Sequence, residues 1–415
     1  HRRQRQMCIR DRHRTFLSLL HLGRYCAHSA RIRRANVMTR ISAPWLHDDA
    51  SQRVCKLLTD AGHQAWFVGG CVRNELLGEP VADLDLSTDA LPEVVMQLAK
   101  AEKIKAIPTG IDHGTVTLIV DDTPFEITTF RHDVATDGRR ATVAFSDNIT
   151  DDARRRDFTM NALYADADGQ IADPLGGWPD LQAHRIRFIE DADRRIKEDY
   201  LRILRFFRFY AWYGDVNEGP DADGIAACAE NIEGLKSLSV ERVTAEMLKL
   251  LAAPDPAPAL ASMASTGALA QVLPAAEVGS LAVLVHLEQS LDIRPDPLRR
   301  LAVIGGTPTE ALKLSNAQAR GLSNITSGIS PIETAYRHGA SAGRDALLVQ
   351  SASLGQLVDR SALKPVEDAA KQTFPLGAAD FMPALSGPAL GKALKEAEAR
   401  WISSGFTLTK AQLLD

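Results

Sequence analysis

The chain has 415 residues, 45% hydrophobic and 24% charged, with a formal net charge of −5. Such ordinary globular usage excludes wholesale disorder, collagen-like repeats and a disulfide scaffold, and no run of about 18 apolar residues is present to span a membrane. The length implies two to four domains. The five cysteines (Cys8, Cys26, Cys55, Cys71 and Cys228) form no CxxC pair. That scatter argues for a reducing, cytoplasmic compartment and against a structural zinc site.

The charge is uneven. Residues 1–37 hold ten Arg and one acid, Asp11, while residues 38–415 hold 38 basic against 52 acidic residues, a net of −14. Three readings of the leader compete: a basic arm for nucleic acid, an Arg-rich transit peptide, or sequence foreign to the native protein. The stretch QRQMCIRD resembles translated sequencing-adapter DNA, and Met38 opens a plausible reading frame. Residues 1–37 are therefore expected to be a non-native or mis-started leader and are left out of fold reasoning.

From Trp45 to Ala61, apolar Leu46, Ala50, Val54, Leu57 and Leu58 recur at helical spacing, and Gly62 stops the run. Ala65–Val68 is a short strand ending in Gly69-Gly70, and Val72–Leu77 is a short helix closed by Gly78. Asp83–Leu86 alternates as a strand does. Pro92 opens a helix to about Lys100. Thr115–Val120 and Phe125–Phe130 are expected to form a hairpin through Asp121-Asp122. Residues 131–150 read as a mobile loop, and Ala153–Tyr164 as a helix. Residues 167–184 are turn-rich, and Arg185–Ile189 is expected as a last strand. Beyond Asp193 the pattern is helical almost throughout, punctuated by Pro254, Pro256 and Pro258. The fold class is therefore α+β: a small N-terminal β-sheet head, then an all-α rear.

Asp83 and Asp85 lie two apart on their strand, so both leave one face while Leu84 and Leu86 leave the other. Paired carboxylates suit Mg²⁺, which binds through oxygen together with substrate phosphates. A lone pair of this kind is more commonly a solvated strand face. Here it follows a glycine turn at the mouth of a helix, where backbone N–H groups can meet phosphate, and Arg73 as a charged phosphate partner.

Together V-G-G-C-V-R-N-E-L-L-G and D-L-D-L-S-T resemble the catalytic core of class II tRNA nucleotidyltransferases and bacterial poly(A) polymerases, of the polymerase-β-like nucleotidyltransferase superfamily. The family writes Asp where this chain has Asn74. The resemblance implies a nucleotidyltransferase head at 38–165, a base-recognising neck at 166–252, and a helical body and tail at 253–415 that bind tRNA. It implies Mg²⁺ on Asp83 and Asp85, with Glu126 as a third catalytic carboxylate. A solvated strand Glu is the alternative for Glu126. Gly69, Gly70 and Arg73 would meet the nucleotide's phosphates.

R-R-D-F-T-x-N-A-L resembles the family's ribose and triphosphate motif, placing Arg155, Arg156, Asp157 and Asn161 at the nucleotide, with Asp157 accepting from a 2′-hydroxyl. E-D-x-x-R followed by L-R-x-x-R-F resembles its base-choosing motif, with Glu198, Asp199, Arg202, Arg205 and Arg208. Cytosine and adenine both present an amine donor beside a ring-nitrogen acceptor. Asp199 with Arg202 satisfies both, whereas uracil and guanine leave groups unpaired, at about 1–3 kcal/mol each. Arg139 and Arg140 match the family's flexible loop by position; a solvated loop tip is the equal alternative. Glu241-Arg242-x-x-x-Glu246 resembles a later motif that braces the neck. P-T-G-x-x-H-G-T-V-T at 108–117, and the lack of a long basic tail, favour CCA addition from CTP and ATP over poly(A) synthesis. His47-Asp48 and His132-Asp133 lack the context of an HD phosphohydrolase. CC-only addition, A-only addition and an inactive RNA-binding module stay open as alternatives. Neither a membrane nor a protein partner is implied.

Overall fold

The computed structural model describes residues 40–137, 140–382 and 384–415, with side chains except those of 133–142. The leader 1–37 and Arg139 lie outside the described residues, as does the side chain of Arg140. The fold is α+β, as expected. Among the described residues no helix is long and apolar enough to cross a membrane.

Seven strands form the head's sheet: β1 (Trp66–Val68), β2 (Leu84–Thr88), β3 (Lys105–Gly110), β4 (Thr115–Val120), β5 (Thr123–Thr129), β8 (Tyr164–Ala165) and β9 (Ile171–Ala172). Their spatial order is β3-β4-β5-β2-β1-β8-β9. Only the β2–β5 pairing is parallel among them. Helices α1 (Asp49–Thr59), α2 (Gly70–Leu77) and α3 (Pro92–Ala101) contribute Val54, Leu58, Val72 and Val95 to the core, against Phe67, Leu86, Val116, Leu118, Phe125 and Ile127. The alternation in β4 and β5 buries every second residue and turns Glu126 outward. Asp121 and Asp122 both have positive φ, the conformation of a type I′ turn, and they close the expected hairpin.

Four local readings differ. Strand β3 was not foreseen: it contains Pro108, tolerated because the strand lies at the sheet's edge. Residues 131–145, expected as a loop, form a ribbon of β6 (Arg131–Asp137) and β7 (Arg140–Phe145). A two-stranded ribbon outside the main sheet has no fully buried face, so it needs no apolar alternation. Its end is tied down at Gly114, where a Cβ would meet the Phe145 ring at 2.8 Å and φ is +77°. The expected helix at 153–164 stops early: α4 spans Ile149–Arg154, then a 3₁₀ turn at Thr159–Asn161 leads into β8. Asp157 diverts the chain by accepting from Phe158 N (2.9 Å), while Thr159 N donates to Arg187 O (3.0 Å). The same contacts leave 185–189 outside the ladder, joined by a single bridge between Phe158 and Phe188.

Behind the head run α5 (Ala192–Glu198), α6 (Leu201–Tyr213), α7 (Val240–Leu251), α8 (Leu281–Ser290), α9 (Pro297–Ile304), α10 (Ala340–Ser353) and α11 (Gly387–Ser403). Phe206 and Phe207 of α6 are fully buried. In α11, Trp401 packs on Tyr336, Phe374 and Phe406, so this ring builds a small core of its own. The rear is also held by buried charge. Glu288 accepts from both Arg299 (2.9 and 2.7 Å) and Arg300 (3.0 and 2.8 Å), and Arg299 reaches Asp345 at 2.7 Å. Arg300 also donates to the carbonyls of Leu251 (2.6 Å), Ala253 and Pro254 (3.0 Å), capping α7 and fixing the proline-rich link. Arg299 and Arg300 are 1% exposed. Arg300→Ala would leave Glu288 paired with Arg299 through Oε1 only, and would take the guanidinium donor from Glu288 Oε2 and three carbonyls. We expect it to lower the unfolding free energy of the rear by about 3–5 kcal/mol, measured by denaturant titration.

Candidate active site

The parallel register of β2 and β5 sets Asp85 beside Glu126. Neighbouring strands lie about 4.8 Å apart and the pleat points both side chains to one face. Asp83 stands just before β2, exposed, two residues from Asp85 on the same side. Asp85 is half-buried. Burial and the charge of Glu126 push its pKa up to about 6; Arg156 works against the shift and Asp83 adds to it. Among the described residues no group of three or more His, Cys, Asp or Glu side chains is placed to hold a metal ion by itself. An open set of carboxylate oxygens fits Mg²⁺, which takes one or two carboxylates and completes its shell from water and phosphate.

The glycine turn lies against this cluster. Gly69 has φ +74° and ψ −120°, which a side-chain-bearing residue adopts only under strain. A Cβ there would stand 3.5 Å from Arg156 Nη1. The turn therefore leaves room for backbone at the start of α2 and brings Arg156 to it.

Arg155 and Arg156 are oriented by Asp152, a fully buried residue that the sequence reading missed. Asp152 accepts from Arg155 Nε (2.7 Å), Arg156 Nη2 (2.9 Å), Ser87 Oγ (3.1 Å) and Tyr164 Oη (2.9 Å). Burial alone would raise its pKa, but the Arg156 and Arg155 guanidiniums and these hydrogen bonds hold it well below the usual carboxylate range. Its spacing three and four residues before the arginines is the signal that was available.

Asp157 is also buried and is fully subscribed. Oδ1 accepts from Phe158 N and Asn161 Nδ2, both at 2.9 Å, and Oδ2 accepts from Arg205 Nε (2.7 Å) and Nη2. Arg205 and Asn161 keep it ionised against the effect of burial. Accepting a ribose hydroxyl there requires one of these donors to give way, so the sequence expectation of an open acceptor is not what the geometry presents.

Arg73 departs further from expectation. It is 7% exposed, not aimed at an open phosphate site. Its guanidinium donates to Asn161 Oδ1 (2.5 Å), Asn74 Oδ1 (2.8 Å) and Tyr213 Oη (2.9 Å), and lies 4.2 Å from the Tyr213 ring centroid. It ties the glycine turn to α6. Asn74 keeps the acceptor that a carboxylate would offer and adds a donor, to Pro80 O at 2.7 Å.

The residues expected to choose the base are split among other partners. Arg202 Nη1 donates to Glu198 (2.6 Å) and to Arg195 O (2.6 Å). Asp199 accepts from Arg242 Nη2 (2.6 Å) and Leu201 N (3.1 Å), leaving two of its four acceptor sites. Arg208 Nε lies 2.8 Å from Glu246 Oε2. Buried Arg195 donates to the carbonyls of Arg155 and Arg156 (2.6 Å) and pairs with Glu198, so it joins head to neck. Its sequence context, Asp-Arg-Arg on a short helix, carries no mark of that.

Residues 65–187 match the model of the poly A polymerase head domain. Residues 221–278 match a probable RNA and SrmB-binding site of polymerase A. A CCA-adding enzyme of Geobacillus thermodenitrificans is 41% identical over 216 residues, 52% of each chain. The human mitochondrial CCA tRNA nucleotidyltransferase 1 is 39% identical over 207 residues, 50% of this chain and 48% of that one. These matches thus span about half the length of the curated relatives. The crystal structure of the Bacillus stearothermophilus CCA-adding enzyme in complex with CTP superposes with a TM-score of 0.68 at 27% identity, covering 88% of this chain and 94% of that one.

The Asp85 shift has a checkable consequence. Its folded-state pKa of about 6 lies above the ordinary 3.8, so ionising it opposes folding. The opposition sets in as pH rises between those values and is full above the higher one. In chelator, Asp85→Asn should raise thermal stability at pH 8 by on the order of 1–3 kcal/mol, and leave it nearly unchanged at pH 4.

Proposed function

We propose that the chain is a member of the family of CCA-adding enzymes and poly(A) polymerases, which its similarities support, and that it adds C, C and A to the 3′ end of tRNA from CTP and ATP. It uses no nucleic-acid template and releases pyrophosphate. The observation that carries this reading is the in-register placement of Asp85 beside Glu126, next to Asp83 and within reach of Arg156 and the Gly69 turn. The names of the relatives favour CCA addition over poly(A) synthesis.

Asp83 and Asp85, supported by Glu126, would hold Mg²⁺, which when bound acidifies the attacking hydroxyl and offsets charge on the leaving group. The chain supplies the rest. Backbone N–H groups at Gly69, Gly70 and the start of α2 meet the triphosphate, with Arg156 beside them. Asp199 accepts from the amine of cytosine or adenine while Arg202 donates to the adjacent ring nitrogen. The tRNA 3′-oxygen forms its bond to the α-phosphorus as the α–β phosphoanhydride bond breaks, and no covalent protein intermediate is needed. Head 38–165, neck 166–252 and the body and tail 253–415 divide the labour, the last gripping tRNA. Buried free thiols at Cys55, Cys71 and Cys228 suit a cytoplasmic setting.

Incubation of a tRNA lacking its CCA with all four nucleotides, followed by product sequencing, tests the reading. We expect CCA and then a stop. Termination after CC, a single A, or an A ladder would each replace it with the corresponding narrower chemistry. Asp83→Ala should abolish incorporation; wild-type incorporation by that variant would remove the carboxylates from the reaction.

A further inference from the structure

Helix α7 packs beside α6, and two of its charged side chains reach Asp199 just before α6 and Arg208 within it. Arg242 donates to Asp199 Oδ2 at 2.6 Å, and about one turn on Glu246 lies against Arg208. Glu241, the neighbour of Arg242 in sequence, turns to the surface instead and pairs with Lys313 Nζ at 2.6 Å. The Asp199 carboxylate is therefore gripped from two sides: Oδ1 by the N–H of Leu201 in α6, Oδ2 by the guanidinium from α7. Both side chains of the Arg242–Asp199 pair are about one-fifth exposed, so the pair sits at the edge of the site and not deep in the core.

We infer that Arg242 is a positioning residue for base choice: it fixes the plane of the Asp199 carboxylate so that the unoccupied lone pairs stay on the base's pairing edge. The inference rests on the reading of Asp199 as the acceptor for cytosine and adenine. An ionised carboxylate offers only lone pairs. It rejects a uracil or guanine carbonyl only while two acceptors are held face to face with nothing between them. Without Arg242, Oδ2 loses its charged partner and the side chain can turn about its two rotatable bonds. A carboxylate that swings back admits a water, which donates to both acceptors and relieves the clash. Selectivity then falls while the carboxylates of the sheet are untouched.

The test is kcat/KM for CTP, ATP, UTP and GTP on tRNA 3′ ends, with wild type, Arg242→Met, Arg242→Lys and Glu241→Ala. Arg242→Met should lower the CTP-over-UTP and ATP-over-GTP ratios by roughly tenfold or more, the factor one misplaced hydrogen bond supplies. Arg242→Lys, which keeps a charged donor, should recover part of the ratio, and Glu241→Ala should keep all of it. If Arg242→Met slows all four nucleotides equally and the ratios hold, the residue only braces the neck and the inference is overturned. If Arg242→Met does not fold, Arg242→Gln is measured by the same ratios, and unchanged ratios overturn it likewise. Equal use of all four nucleotides by wild type would instead sink the Asp199 reading itself.

Discussion

The head depends on one parallel pairing, β2 beside β5. A parallel pair needs a long crossover, and here the chain supplies α3, β3 and β4 between the two strands. Once β2 and β5 are in register, the pleat does two things at once. It turns Leu86, Phe125 and Ile127 into the core, each worth about 1.5–3 kcal/mol when fully buried. It also forces Asp85 against Glu126. The apolar gain exceeds the repulsion, so hydrophobic burial holds together two carboxylates that would otherwise separate. Ser87, on the same face as Asp85, draws in Arg156 through its hydroxyl at 3.1 Å.

Environment sorts the carboxylates of the site into two kinds. Asp152 and Asp157 are buried but surrounded by guanidinium and amide donors, and both are held below the usual range. Such groups are anchors: they have no capacity to spare and they set where arginines point. Asp85 is shifted the other way, by burial and like charge. A carboxylate that is costly to ionise alone is one that a cation relieves. The direction of the shift separates carboxylates already paired with cations from one that is not, within one short stretch of fold.

Much of the head was legible because its strands obey period two. β4 and β5 alternate cleanly and their turn carries two acids at positive φ. The glycine turn and α2 were legible from Gly69, Gly70 and Gly78. The ribbon at 131–145 was not, because strands outside the sheet carry no apolar stripe. Nor was the break after Arg154, which depends on a side-chain hydrogen bond and on Arg187, some thirty residues away. The site followed the same division. Asp83, Asp85 and the arginines stood out locally. Their holders did not, since Asp152 looks like an ordinary helix acid and Arg195 like a surface base. The true place of Arg73 emerged only when α6 brought Tyr213 and Phe209 around it.

The buried charges of the rear bear on the order in which the chain folds as it is made. The last carbonyls of α7 are capped by Arg300, and Arg300 is in turn balanced by Glu288, which Arg299 and Asp345 complete. The neck helix therefore lacks its final partners until residue 300 has left the ribosome, and the charge group stays one member short until residue 345 has. The head draws its main sheet from residues before 173 and waits for none of this. During synthesis the carboxylate cluster forms first, on a finished sheet, while the helix that holds Asp199 through Arg242 is locked only after most of the chain has emerged.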